Sequence, residues 1–234
     1  MQPLTIAVTS YNRFDLTIKS FKEVINDNRI TEILIVDDAS PDGSGKRLAQ
    51  HFFKHPKVKV IIQAENRTMQ LNKADAVFFA KNDWVILLDS DNEISTGYID
   101  ALEQHEKSYG LESDTIYAPV RALPNFIYDR FEGITIDASN VRFYVGLPYF
   151  GAMINTCNYL VHRETYLENF QFDKDIKGVD TAAHFLRHLT NKGKVHVVEN
   201  LEYLHAISED SEFMKDVHYN MRCAMDIEKK LLEL

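Results

Sequence analysis

Of 234 residues only two are cysteine and one is tryptophan, and basic side chains are fewer than acidic ones. Cys157 and Cys223 lack a metal-binding spacing, and two thiols build no disulfide framework, so a reducing compartment is expected. No apolar run approaches the ~20 residues that span a bilayer, which excludes an obvious transmembrane helix. No basic segment followed by a long apolar core precedes the strand-like Leu4-Thr5-Ile6-Ala7-Val8, so no signal peptide is expected. With 26 Lys and Arg against 35 Asp and Glu, the net charge is −9, which argues against a general nucleic-acid binder. An anionic small substrate stays open, because a bound cation reverses the local sign. Repeats, low-complexity tracts and composition shifts are also missing, so one domain with a sizeable core is expected over 1–234.

What is present is organised around Trp84-Val85-Ile86-Leu87-Leu88-Asp89-Ser90-Asp91-Asn92. Its apolar run reads as a strand buried on both faces, ending at two carboxylates one residue apart. Residues i and i+2 of a strand point the same way, so Asp89 and Asp91 can converge on one cation. Two hard oxygen donors suit Mg or Mn, with water and substrate phosphates completing the shell. The plainer alternative is that both merely cap a turn.

The rest of the first half repeats one rhythm. Leu4–Val8 is a strand, and Phe14, Ile18, Phe21 and Ile25 recur at helical spacing. Glu32–Val36 is a second strand, running into the turn-forming Asp37-Asp38-Ala39-Ser40-Pro41-Asp42-Gly43. Leu48, Ala49 and Phe52 mark a helix, Val58–Ile62 a strand, and Thr68–Lys81 a helix with Leu71, Ala74 and Phe78 on one face. This alternation predicts a mostly parallel wound sheet, with Thr9, Tyr11, Asp38, Asp89 and Asp91 along one crevice. Beyond Asp91 a helix carrying Tyr98, Leu102 and Glu106 is expected, then a strand at Thr115–Pro119 and an irregular, aromatic stretch from Val120 to Thr156. A strand at Asn158–Val161, a helix beginning near Asp180, a strand at Lys194–Val198 and a loop through His205 follow. A terminal helix is expected from about Glu212, with Val217, Met221, Ala224 and Met225 sharing a core or dimer-forming face.

Three strand ends, Thr9-Ser10-Tyr11-Asn12-Arg13, Val36-Asp37-Asp38-Ala39-Ser40-Pro41-Asp42 and Leu88-Asp89-Ser90-Asp91-Asn92, together resemble the inverting glycosyltransferases of family 2. The resemblance implies an α/β fold of GT-A type: a Rossmann-like wound mixed sheet with helices on both faces and an irregular acceptor-side half. It divides the single domain into a nucleotide-sugar-binding half (1–95), an acceptor and catalytic half (96–211) and a C-terminal helix (212–234). It implies donor-binding roles for Thr9, Tyr11, Asp38, Arg67, Asp89 and Ser90, with Asp38 reading a uracil ring. Asp91, Asp89 and His205 become candidate ligands of Mn or Mg, His205 alternatively contacting phosphate. Asp180, after Gly178-Val179, falls where the family has its general base. Asn66-Arg67-Thr68 and Leu71-Asn72-Lys73 depart from the family's Asn-x-Gly and Ala-Arg-Asn, so either Arg67 or Lys73 supplies the positive charge of the sugar pocket.

The implied function is metal-dependent, inverting transfer of a sugar from a nucleotide sugar, a UDP-sugar first, to a hydroxyl of a glycan or glycoconjugate acceptor. A cytoplasmic enzyme of polysaccharide assembly is implied, at most peripheral to a membrane. Tyr144, Tyr149 and Phe150 are candidates to stack on the acceptor. Two rivals remain at this stage: a non-catalytic nucleotide-sugar-binding module, and a haloacid-dehalogenase-type phosphatase. Asp38 and Asp180 also suit helix caps, and His205 a strand end.

Overall fold

The computed structural model describes residues 1–207 and 211–234. The first half follows the expected rhythm: β1 (Leu4–Ser10), α1 (Phe14–Ser20), β2 (Ile30–Asp37), α2 (Ser44–His51), β3 (Val58–Ile62), α3 (Thr68–Phe79) and β4 (Trp84–Asp89). After α4 (Thr96–Tyr109) and β5 (Thr115–Leu123) come the short β6 (Phe126–Ile127) and β7 (Thr135–Ile136), then α5 (Phe150–Asn155) and β8 (Tyr159–His162). The chain continues with α6 (Arg163–Asn169), α7 (Asp180–Thr190), β9 (Lys194–Leu204), α8 (Glu212–Lys215) and α9 (Val217–Leu232).

Among the described residues nine strands form one mixed sheet in the order β3-β2-β1-β4-β8-β5-β9-β7, with β6 on β5. β1 lies between β2 and β4, parallel to both, while β8 runs antiparallel to β4 and β5. The apolar residues of β1, β2 and β4 are buried on both faces, which is why these segments read as continuous Val, Ile and Leu runs. Register matters for function: Thr9 pairs with Asp89 and Ser10 with Asp37, so the three strand ends finish side by side.

Several elements differ from expectation. β5 and β9 run to Leu123 and Leu204 because they pair along their whole lengths, across a register shift after Pro119. The irregular stretch is partly core: Tyr128, Phe131 and Phe150 are fully buried, while Phe143 and Tyr149 are exposed. Phe150 therefore cannot present its ring to an acceptor. The terminal helix is two helices, broken at Asp216, whose carboxylate accepts from the Tyr219 N–H at 3.4 Å. Met221 and Met225 are exposed, and α9 instead buries Asn220, Ile227 and Leu231. The loop expected between His205 and this helix passes through 208–210, outside the described residues. On α3 the expected Leu71, Ala74 and Phe78 face is only partly right: Ala74 is buried, Leu71 half-buried and Phe78 exposed, and the helix also buries the polar Gln70, Asn72 and Lys73 beside Ala76 and Val77. Among the described residues no helix is long and apolar enough to cross a membrane.

One buried group ties stability to pH. His184 of α7 stacks 4.2 Å from the Tyr166 ring, and neither ring nitrogen has a hydrogen-bond partner. Burial, with His188, Arg187 and Lys73 nearby, pushes its pKa from 6.5 down to about 3. The folded state therefore holds a neutral ring, and between those values only the unfolded chain takes up the proton. Stability is complete above the unfolded value and falls as pH drops toward the folded one. Replacement His184→Leu is expected to flatten this acid limb, by up to about 1.4 kcal/mol per pH unit in urea unfolding. Parallel stability–pH curves for the two proteins would contradict it.

Candidate active site

The carboxyl ends of β2, β1 and β4 build a shared rim, and side chains tie their loops together. The Asn12 N–H donates to Ser40 Oγ at 2.8 Å, and Ser40 Oγ donates to Asp37 Oδ2 at 2.5 Å. The Asp38 N–H donates to the Ser10 carbonyl at 2.9 Å. Gly45 is required here, since a Cβ at that position would sit 2.3 Å from Asp37 Oδ1. Asp38 is buried and accepts the Arg67 N–H at 2.7 Å. Burial raises its pKa, opposed by that backbone bond. Thr9 is nearly buried, and Tyr11 projects from the rim.

At the end of β4 the two acidic residues diverge in their partners. Asp91 pairs with Arg13, Oδ2 to Nη1 at 2.7 Å. Burial, then the neighbouring Asp89 charge, raises the Asp91 pKa, and Arg13 pulls it back. Asp89 reaches Lys73, whose Nζ lies 3.3 Å from Asp89 Oδ1 and 3.1 Å from Asp180 Oδ2. Burial works against the charge on Lys73, yet Asp180 and Asp89 outweigh it and hold its pKa well above the ordinary value. Asp180 opens α7 and is itself pushed upward by burial, with Lys73 opposing. The turn is fixed from behind by Asn158, fully buried in the left-handed region at φ 69°, whose Oδ1 accepts the Asp89 N–H at 2.9 Å. Ser90 is buried within the same turn.

The β9 end is joined to this turn directly. Glu93 and Leu204 exchange backbone hydrogen bonds at 2.9 Å, and Asn92 Oδ1 accepts the Ala206 N–H at 3.1 Å. His205 is thereby held near Asp89. Asn125 Nδ2 donates both to the His205 carbonyl at 2.8 Å and to Nδ1 at 2.9 Å, which leaves the ring proton of neutral His205 on Nε2. Burial lowers the His205 pKa, against the pull of Asp89.

The fold thus gathers Thr9, Tyr11, Asp38, Asp89, Ser90 and Asp91 at adjoining strand ends, and brings Asp180 and His205 to the same turn. Arg67 contributes its backbone to Asp38, but its guanidinium turns to Asp75 at 2.8 Å. Of the two candidate cations, Lys73 is the one that reaches Asp89. Sequence reasoning missed Arg13, although it stands inside the first strand-end motif. It also missed Asn158, for which the signal was an Asn directly ahead of a strand. Among the described residues no three His, Cys, Asp or Glu side chains gather into a metal cage. The two hard carboxylates Asp89 and Asp91 still fit Mg or Mn of the kind whose shell substrate phosphates complete.

Residues 5–133 match the family described as glycosyl transferase family 2. The chain belongs to this family. As a family 2 member it is a glycosyltransferase, and its wound mixed sheet is the GT-A arrangement. Solved structures of TarS from S. aureus share that fold. A structure of TarS residues 1–349 superposes with a TM-score of 0.69 at 13% identity, covering 98% of this chain and 69% of TarS 1–349. The complex of that protein with UDP-GlcNAc gives 0.70 at 12% identity, covering 98% and 70%. A longer TarS structure gives 0.67 at 13% identity, with this chain spanning 39% of its length. No curated protein matches the sequence.

The buried Lys73–Asp180 pair, with the partly exposed Asp89 on the same ammonium, predicts a stability outcome. Lys73→Met leaves two carboxylates facing each other without their cation, and removal of one member of a buried ion group typically costs about 3–5 kcal/mol. Urea unfolding at neutral pH is expected to show a loss in that range. A loss under about 1 kcal/mol would mean that Lys73 and Asp180 are not paired away from water.

Proposed function

We propose that the chain transfers a sugar from a UDP-sugar to a hydroxyl of a glycan or glycoconjugate, with inversion, assisted by Mg or Mn. The observation that carries this reading is the single ammonium of Lys73 between Asp89 and Asp180, from β4 and α7. It sets the acidic motif for a nucleoside diphosphate beside a carboxylate suited to deprotonate an acceptor. Structures of TarS with UDP and with UDP-GlcNAc support the choice of donor.

In this reading Asp38 accepts from the N–H of the base, and Thr9 and Tyr11 flank the nucleoside. Asp91 and Asp89 would hold the divalent ion together with the diphosphate oxygens. When bound, that ion neutralises the leaving diphosphate. Arg13 adds fixed positive charge beside Asp91, Lys73 links Asp89 to Asp180, and His205 donates from Nε2 toward a phosphate oxygen. Asp180 takes the acceptor proton as the hydroxyl attacks the anomeric carbon. Its burial raises its basicity, as general-base work requires. Attack from the side of Asp180, with the diphosphate leaving on the other, inverts the anomeric configuration. Exposed Tyr149 and half-buried Tyr144 stand in the half that would receive the acceptor.

The test is UDP release from UDP-sugars, UDP-GlcNAc among them, with Mn and a screened acceptor. Asp180→Asn is expected to lower turnover by about 100- to 10,000-fold while UDP still binds. Asp91→Ala and chelation by EDTA are each expected to abolish release. Binding of UDP without release by the wild type would favour a non-catalytic module instead, and unchanged turnover in Asp180→Asn would remove that residue as the base.

A further inference from the structure

Asp180 lies beyond residues 5–133, and so do Asn155, Tyr219 and Asn220, which grip the loop before it. The loop before it is gripped at successive positions. Gln70 of α3 donates to the carbonyls of Asp173, at 2.8 Å, and Ile176, and accepts the Asp173 N–H at 3.2 Å. The Tyr219 hydroxyl donates to the Asp175 carbonyl at 2.6 Å. The decisive contact is at Gly178, two residues before Asp180. Its N–H donates to Asn220 Oδ1 at 3.2 Å, and its carbonyl accepts from Asn155 Nδ2 at 3.2 Å.

Asn220 is fully buried in α9, a helix whose other buried residues are the apolar Ile227 and Leu231. An asparagine in that position must have its amide satisfied, because a buried unpaired amide is strongly unfavourable. Besides accepting from Gly178, it donates from Nδ2 to the Phe213 carbonyl at 3.0 Å, which folds α8 back against the same loop. The packing leaves no slack: a Cβ on Gly178 would lie 2.5 Å from the Phe213 Cα. One side chain therefore joins both C-terminal helices to the peptide that leads into Asp180.

We propose that Asn220 is a positioning residue for Asp180, so that the C-terminal helix pair sets the aim of the general base. This rests on the reading of Asp180 as that base. The bonds of Asn220 to Gly178 and Phe213 lie on the Asp180 side, so its loss is expected to act on the reaction step and leave donor binding alone.

The test compares wild type, Asn220→Leu, Asn220→Asp and Asp180→Asn in UDP-sugar turnover, UDP binding and hydrogen exchange. Leucine keeps the volume without the hydrogen bonds, and aspartate keeps the acceptor for Gly178 while losing the donor to Phe213. Asn220→Leu is expected to lower kcat about 10- to 100-fold with the donor KM and UDP affinity nearly constant, the penalty of a misaimed catalytic group. Asn220→Asp is expected to recover most of that kcat. Amides at 178–181 are expected to exchange faster in Asn220→Leu, while those of β4 keep their protection. Unchanged kcat in Asn220→Leu beside a collapsed Asp180→Asn would overturn the proposal and leave the transferase reading intact. Exchange rising evenly across the chain would overturn it as well, since Asn220 would then only stabilise the fold. If the wild type releases no UDP, the transferase reading fails and the exchange pattern alone decides whether Asn220 orders this loop.

Discussion

A lysine ammonium with almost no access to water sits between two carboxylates contributed by segments some 90 residues apart, and the acidic half of the site depends on it. A buried ammonium without partners would give up its proton; one with two partners stays charged and fixes both. Lys73 thereby sets three things at once. It draws the buried face of α3 toward polar side chains, it orients Asp89 where β4 ends, and it anchors the start of α7. The polar interior of α3 follows from this. Gln70 faces the loop before Asp180, Asn72 donates to the Val36 carbonyl at 3.1 Å, and Lys73 faces the acids.

Around that charge group, uncharged polar groups do most of the holding. Ser40 ties the first two strand-end loops, Asn158 secures the Asp89 peptide, and Asn92 secures the peptide after His205. Irregular backbone at strand ends cannot satisfy itself through the sheet, so short amide and hydroxyl side chains supply the missing partners. Their bonds are directional, whereas the ion pairs fix position less sharply. Together they leave carboxylates and cations facing one rim, within a chain whose net charge is −9. At this rim Arg13 and Lys73 offset part of the charge of Asp89, Asp91 and Asp180.

Legibility from sequence followed the range of the interactions involved. The wound half was readable because each strand is a short apolar run with its chemistry at its own end: Val36 precedes Asp37, and Leu88 precedes Asp89. That Lys73 and not Arg67 reaches Asp89 was not readable, because it depends on which helical face turns inward, and hydrophobic spacing favoured Leu71, Ala74 and Phe78, of which only Ala74 is fully turned in. That rule fails wherever a helix buries a polar face against a site. The terminal helix misled for the same reason: its methionines suggested a core stripe, yet the buried face carries Asn220. The fate of the aromatic segment was equally hidden, since Phe150 and Tyr149 are neighbours with opposite exposure.

The two halves of the site therefore follow different rules of construction. At the ends of β1, β2 and β4, neighbouring strands deliver residues in register, and short motifs suffice to mark them. Asp180 instead stands at the first position of α7, straight after a loop, and a loop has no register. Its position has to be imposed by groups that reach it from α3, α5 and α9, which are remote in sequence and linked to it mainly by amide hydrogen bonds. Such groups leave no motif, because any helix can present an asparagine or a glutamine. The sheet itself is shared with TarS at 12–14% identity, since apolar strands are specified by burial, which many sequences satisfy, whereas a loop depends on the particular side chains that reach it.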